Sequence, residues 1–578
     1  MSTLTDKQTI QEYEDYISVN GIDENIMNNF IQASQILISK DLEYGLKICA
    51  RTKEIIETFV FQHTNGTIWD LEKYMFENKT SYDIVKKYYQ ILLLEAQNKV
   101  VDSFFRYIER KRAPKERFYM PRRKQFLKMG LVDALQGMID DKYDILCISL
   151  VPGAGKTSIE KFFNAAVIGW YPNDFNLFYS HSGDITRMYY DGVYDIVTNV
   201  EDYCWNEIFP QLSVTSTNAK MEQFNIGKYK PFPSVQCTSV GSKNAGKVRA
   251  SKFLLVDDMI GGIEEALNET ILEKLWNKYA VDARQRKIQG TDGKNCKEIH
   301  IATRWSVRDV IGRIQNMYEG NERVKTISVP DIDPVTGESN FDYEFSGFTK
   351  EFFADQQLLM DDISYKCLYK QEPIEREGLL FPEDKIRRYL NLPHGVPEII
   401  TAECDTKGKG TDYFVMPVLQ KYGDDYYCVD CVCDNTADYE IQYENAANVL
   451  VNNEVQECEF ERNSGGDRVA LEVNKRVEAK GYICNITDVP TETNKEARIF
   501  QCSNWILQHI IFKDQSLYTP KEPYGVMMTL LKQYSVSGKK QLDDVPDVFS
   551  NFAIRMNKKN RVGTVEPVLN PFRGGYFE

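Results

Sequence analysis

"DILCISLVPGAGKTSIEKFF", Asp144–Phe163, reads as an apolar strand, a glycine-bearing turn and the start of a helix. The turn closes on Gly155-Lys156-Thr157, the ending of a phosphate-binding loop. Gly153 and Gly155, flanking Ala154, allow backbone N–H groups to approach phosphate oxygens, and the helix that continues through Ser158 adds its positive N-terminal end. Lys156 would reach the β- and γ-phosphates, and Thr157 would place a hydroxyl on Mg2+. The usual loop opens with a glycine five positions before Gly155, where this chain has Leu150.

Working outward, "FNLFYSHS", "SVQCTSV", "KFLLVDD" and "EIHIATR" are further short apolar strands separated by helical stretches. Such alternation predicts an α/β unit with a mainly parallel sheet. In "KFLLVDDM" a buried strand delivers Asp257 and Asp258 to its carboxyl end, where an open sheet of this kind binds ligands. The first acid can hold Mg2+ through water, and the second can orient or deprotonate an attacking water. In "EIHIATRWSVRDVIGRI" a strand ends near Thr303, a polar group placed to sense a γ-phosphate. "FYMPRRKQF" offers Gln125 and an arginine to the base or phosphates of a nucleotide.

The chain has 578 residues and 42% hydrophobic content, enough for two or three domains. No run of about eighteen apolar residues predicts a membrane span, and the polar, acidic beginning "MSTLTDKQTIQEYEDY" lacks signal-peptide architecture. Thirteen scattered cysteines suit a reducing compartment better than a disulfide framework. A net charge of −15 argues against a protein that coats nucleic acid, but not against an enzyme that touches DNA locally. Arg106–Lys128 holds ten Lys/Arg against two Glu and reads either as a solvated helix end or as a phosphate-contacting surface. Residues 1 to about 110 carry apolar positions at helical spacing and predict an appended helical region.

A second alternating series begins near residue 398, after turn-rich material at 335–395. "IITAECD" puts Asp405 at a strand end, "QECEFERNSGG" puts Glu461 at another, and "KKQLDDVPDVFSNFAIRM" opens a helix with Asp543, Asp544 and Asp547. Carboxylates from two strand ends and a helix start can converge on one patch. Hard divalent ions about 4 Å apart require such oxygen ligands to activate water and stabilise the leaving oxygen of a phosphodiester. Taken singly, Asp543 and Asp544 could simply favour the helix dipole, Asp412 could end a turn, and the alternating Glu457, Glu459 and Glu461 could form a solvated edge. In "YYCVDCVCD" the alternation of a strand sets Cys431 and Cys433 on one face and Cys428 on the other, without a second ligand pair for zinc.

The ordered set "RRKQF", "VPGAGKTS", "LLVDD", "ATRWSVRDVIGRI" and "YKCLYKQEPIEREGLLF" resembles the large terminase subunit of tailed bacteriophages over about residues 118–560. The resemblance implies a helical N-terminal extension (1–115), a P-loop NTPase domain (116–345), a junction (346–395), a ribonuclease-H-like α/β nuclease domain (396–560) and a C-terminal tail (561–578). It makes Asp257 the metal-side acid, Asp258 the catalytic acid in place of a frequent Glu, and Thr303 the coupling residue. Arg187, Arg249 and Arg304 are candidates for the arginine finger. Asp405, Glu461 and Asp544 would ligate the nuclease metals, with Asp547 as a fourth ligand. The expected cofactors are ATP and Mg2+, with Mn2+ as an alternative at the nuclease site. The expected partners are double-stranded DNA, a portal protein, a small terminase subunit and further copies in a pentameric ring; no membrane contact is expected. The expected location is the cytoplasm of an infected bacterium, transiently docked on the procapsid portal and absent from the virion. The resemblance implies ATP-driven DNA packaging with cutting of concatemeric DNA. The competing readings are a repair helicase–nuclease, whose strand-separation motifs are missing, and a portal-docking scaffold with a decayed ATPase.

Overall fold

The computed structural model describes residues 7–240, 248–360, 362–373, 379–406, 412–436, 438–462, 466–490, 494–535 and 541–563. Most of the tail expected at 561–578 lies outside these residues, as do the glycine-bearing turn after Asp405 (407–411) and residues 463–465 after Glu461. The chain divides into two compact units, Met1–Leu359 with Tyr365–Ile374, and Met360–Ser364 with Glu375–Glu578.

The first unit opens with six helices between Lys7 and Ile108. Their starts are written in the sequence. Asp23 and Asp41 accept hydrogen bonds from Ile26 N and Tyr44 N, and Thr67 with Asp70 forms a reciprocal capping box. Trp170 Nε1 donates to the Ala96 carbonyl at 2.7 Å, tying these helices to the P-loop helix Lys156–Trp170.

Eight strands follow: β1 (Ile145–Ser149), β2 (Asn176–Ser180), β3 (Val214–Asn218), β4 (Gln223–Ile226), β5 (Val235–Ser239), β6 (Phe253–Asp257), β7 (Lys297–Ile301) and β8 (Val324–Ser328). They form one sheet in the order β3-β4-β5-β2-β6-β7-β1-β8, parallel from β5 to β8, with an antiparallel β3–β4 hairpin on one edge. Strands β1, β2, β6 and β7 are buried throughout; β1 and β6 accordingly read as near-continuous apolar runs, whereas β7 buries Lys297, Glu298 and His300, with Glu298 paired to Arg284 and Lys287. The order places β7 between β1 and β6, so the ends carrying the P-loop, Thr303 and the Asp257–Asp258 pair stand in a row.

The second unit holds β9 (Arg387–Tyr389), β10 (Ile399–Cys404), β11 (Phe414–Tyr422), β12 (Asp425–Asp434), β13 (Glu457–Glu461), β14 (Asn485–Val489) and β15 (Ile510–Lys513). Their order is β14-β13-β10-β11-β12-β15-β9. β10, β11 and β12 form an antiparallel meander, and β13 and β14 add in parallel beside β10. The helices Lys495–His509 and Asp544–Gly563 pack together and bury Ile499, Ile506, Val548, Phe549 and Phe552 in one core cluster with β12 and β15.

Three sequence expectations change. First, the basic stretch Arg106–Lys128 is largely consumed internally. Arg110 and Lys111 pair with Glu207, Arg117 with Glu72, Arg123 with Asp102 and Lys128 with Asp333. Second, the three cysteines of β12 share one core cluster. A bulge between Val418↔Asp430 and Leu419↔Cys428 skips Val429 and turns Cys428 to the side of Cys431 and Cys433. Third, within the stretch read as a junction, Phe348 packs against Phe353, and Tyr365 donates to Asp331, all in the first unit.

Candidate active sites

At the phosphate loop, Leu150 is fully buried and has no positive φ, so the position usually held by glycine needs none here. The left-handed positions are Gly153 (φ 78°) and Gly155 (φ 101°). A Cβ on Gly155 would lie 2.5 Å from Phe118 Cε2, and one on Gly153 would lie 2.9 Å from Phe348 Cζ. Tyr343 Oη donates to the buried Ala154 carbonyl at 3.4 Å. The buried Lys156 ammonium donates to the Leu150 and Val151 carbonyls at 2.7 and 3.3 Å. Burial lowers its pKa, while Asp258 and Asp257 oppose that shift. Ser158 is half-buried in the first helical turn.

Thr157 Oγ1 donates to Asp257 Oδ2 at 2.8 Å, joining the loop to the end of β6. The other oxygen, Asp257 Oδ1, is buried without a hydrogen-bond donor among the described residues, which fits a carboxylate that accepts from a metal-bound water. Burial and the neighbouring Asp258 push the Asp257 carboxyl up to about 7, against the Thr157 hydroxyl and Lys156. Asp258 has φ 37°, unusual for a non-glycine residue. It is clamped to the end of β7: its N–H donates to the Ile301 carbonyl and its Oδ1 accepts from Thr303 N, both at 2.9 Å. His181 also bonds its carbonyl. Thr303 thus touches the second acid directly, through its backbone rather than its hydroxyl.

Gln125 donates to the Asp342 carbonyl at 2.8 Å. Arg122, one turn earlier, is the basic group at the loop. Its guanidinium lies 4.9 Å from the Phe118 ring centre and 5.1 Å from that of Tyr343. Of the arginine-finger candidates, Arg304 is buried in an ion pair with Asp309 (2.9 Å) and a hydrogen bond to Gln315 (2.9 Å). Arg187 is held by Asp191, and Arg249 bonds the Val248 carbonyl.

In the second unit, parallel β10 and β13 run in the register Cys404↔Phe460. The next residue of each strand, Asp405 and Glu461, therefore reaches the same edge side by side. The C-terminal helix adds Asp547: ligand oxygens of Asp405, Glu461 and Asp547 all lie within 4.8 Å of one another. The expected order of preference, Asp544 ahead of Asp547, is thus reversed by geometry. Asp544 Oδ2 accepts from Tyr413 N at 2.8 Å, and Asp543 pairs with Lys495 at 2.8 Å. Asp547 Oδ1 accepts from Arg498 Nη2 and Nε at 2.5 and 3.0 Å, and Asn551 donates to Glu461 Oε2 at 3.2 Å.

Burial, together with Asp547, Glu461 and Asp544, drives the Asp405 carboxyl well above the usual range, against Lys495. Burial also raises Asp547, against Lys495 and Arg498. Carboxylates crowded in this way, offering only oxygen, fit a hard divalent cation. Glu457 and Glu459 alternate with buried Cys458 and Phe460 and stay half-buried on β13, outside this group. Lys495 and Arg498 escaped the sequence reading. Their signal was a basic residue at the first position of a helix, where the dipole disfavours one.

Residues 404–510 match the family model described as terminase, bacteriophage T7, ribonuclease H-like domain. No curated protein sequence matches the chain. Among solved structures, the large terminase of bacteriophage HK97 is similar at 11% identity, covering 80% of this chain and 99% of that one, with a TM-score of 0.35. The large terminase of the thermophilic bacteriophage D6E is similar at 13% identity, covering 75% and 98%, with a TM-score of 0.33. The Mn-soaked, inhibitor-bound human cytomegalovirus terminase nuclease domain is similar at 11% identity, covering 30% and 94%, with a TM-score of 0.25.

An α/β unit carrying a phosphate-loop motif is thus followed in one chain by a unit that matches a terminase ribonuclease H-like domain over residues 404–510. The family match places residues 404–510 with terminase ribonuclease H-like domains.

Proposed function

We propose that this chain is the motor subunit of a viral DNA-packaging machine, coupling ATP hydrolysis to movement of double-stranded DNA into a procapsid and cutting concatemeric DNA with its second unit. The observation that carries this reading is the meeting of Asp405, Glu461 and Asp547 at one sheet edge within 4.8 Å, downstream of a phosphate loop joined to Asp257 through Thr157.

In the first unit, Lys156 would leave the Leu150 and Val151 carbonyls for the nucleotide's phosphates. Thr157 and Asp257 would hold Mg2+. Asp258 would orient the attacking water, and its bond to Thr303 N would pass loss of the γ-phosphate to β7. In the second unit, Asp405, Glu461 and Asp547 would hold Mg2+ or Mn2+, which supplies an activated water and stabilises the leaving oxygen. Arg498 fixes Asp547, and Asn551 fixes Glu461. The partners proposed are double-stranded DNA, a portal protein, a small terminase subunit and further copies in a ring, in the cytoplasm of an infected bacterium. No described helix is long and apolar enough to cross a membrane.

The test is Mn2+-dependent plasmid cutting by the full chain. Asp405→Ala should abolish cutting while ATP hydrolysis continues. Undiminished cutting would overturn the assignment of the nuclease site.

A further inference from the structure

The acid cluster of the second unit already holds a cation. The Lys495 ammonium lies 2.8 Å from Asp543, 3.2 Å from Asp547, 3.5 Å from Asp544 and 3.8 Å from Asp405. The oxygens it faces are Asp405 Oδ2, Asp543 Oδ1, Asp544 Oδ1 and Asp547 Oδ2. The opposite oxygens of two of these residues are already engaged: Asp547 Oδ1 by Arg498, and Asp544 Oδ2 by Tyr413 N–H. The ammonium therefore faces, besides Asp405, the Asp547 oxygen that Arg498 leaves open to a metal.

Lys495 and Arg498 share one helix but differ in freedom. Arg498 is 3% exposed and grips a 2% exposed carboxylate. Lys495 is 35% exposed and begins the helix, with Asn494 as its cap. A four-carbon stem at a helix start can swing into solvent, whereas a buried guanidinium bonded through two nitrogens cannot.

We propose that Lys495 is a tethered counter-ion of the nuclease site. It gathers the carboxylates before metal arrives and competes with the divalent ion for the same oxygens. The inference rests on the nuclease reading and adds that metal loading at this site is an exchange of cations. Lys495 is accordingly a positioning residue whose displacement accompanies loading. Near a surface a unit charge about 4 Å away is worth several-fold to far more than tenfold in an equilibrium constant, so the effect is measurable.

The experiment is calorimetric titration of the metal-free full chain with Mn2+. Lys495→Met should bind Mn2+ on the order of tenfold tighter than the wild type. Its metal-free thermal transition should fall and its Mn2+-bound transition should recover. Lys495→Arg should stay close to the wild type. Unchanged or weaker Mn2+ binding by Lys495→Met overturns the proposal.

A second measurement needs no variant. Acylation of Lys495 in the wild-type protein, followed by mass spectrometry, should accelerate several-fold when Mn2+ is added, because the displaced amine is exposed. An unchanged or slower rate overturns the proposal. Mn2+ binding that persists undiminished in Asp405→Asn would instead overturn the metal-site reading itself.

Discussion

Replacing Arg304 by Met separates two roles for this residue. As an arginine finger it would be dispensable for folding and essential for ATP hydrolysis. The structure makes it a buried strut instead: its side chain is 7% exposed and pairs with an Asp309 side chain that is 5% exposed, at 2.9 Å. Asp309 also caps the helix Val310–Met317 by accepting from Gly312 N at 2.7 Å. Burial raises the Asp309 carboxyl, and Arg304 opposes the shift. Removing the guanidinium strands that carboxylate and breaks the 2.9 Å bond to Gln315. Loss of one partner of such a pair costs about 3–5 kcal/mol, or about two to three and a half decades in an opening equilibrium. Hydrogen exchange read by mass spectrometry on peptides covering β7 and the 310–317 helix would register that loss. Arg304→Met with Asp309→Asn should recover most of it, because Asn keeps the cap and removes the buried charge. Unchanged exchange protection in Arg304→Met, combined with lost ATP hydrolysis, would refute the strut.

Other consequences follow from single residues. Gly155→Ala would force a left-handed φ of 101° on a residue whose Cβ lies 2.5 Å from Phe118, so it should cost at least about 1–2 kcal/mol and weaken nucleotide binding. Gly183→Ala, in open space without a positive φ, should be neutral or stabilise by about 0.4–1 kcal/mol in thermal melting. With the Asp257 carboxyl at about 7 against about 3.9 in the unfolded chain, the folded state holds a proton that the unfolded state has released, and this stabilising preference is lost as pH rises through about 7. Mg2+–ADP needs the carboxylate, so its affinity should fall below about pH 7 with proton release visible by calorimetry, and Asp257→Asn should show no release. All thirteen cysteines are free and buried, so a thiol reagent should titrate almost none in the native protein and all thirteen after denaturation.

The parts legible in sequence were those set by local chemistry. Buried strands β1 and β6 announce themselves as apolar runs, and acids at strand ends mark Asp257, Asp405 and Glu461. Strands β3 and β8 were missed because they are edges: "VTSTN" is almost wholly exposed, and "VKTIS" buries only one residue. The helix-borne ligand was harder. Each step along a helix turns the side chain by about 100°, so the docking of the C-terminal helix on β10 and β11, rather than order in the chain, brings Asp547 beside Asp405 and Glu461. Lys495 and Arg498 lie about fifty residues before Asp547, on a separate helix, and meet it only through tertiary packing. The Cys428 face depended on one bulge that strict alternation cannot anticipate. The charged stretch Arg106–Lys128 looked like a phosphate surface because its acidic partners, Glu72, Asp102, Glu207 and Asp333, are distant in sequence.

The central claim, a working ATPase engine acting on DNA, is tested most directly by the steady-state ATP hydrolysis rate of the full chain with and without double-stranded DNA, in the wild type and in Lys156→Ala. The account predicts hydrolysis that rises with DNA in the wild type and disappears in Lys156→Ala. Hydrolysis that survives loss of Lys156, or a wild type inactive with and without DNA, would contradict it.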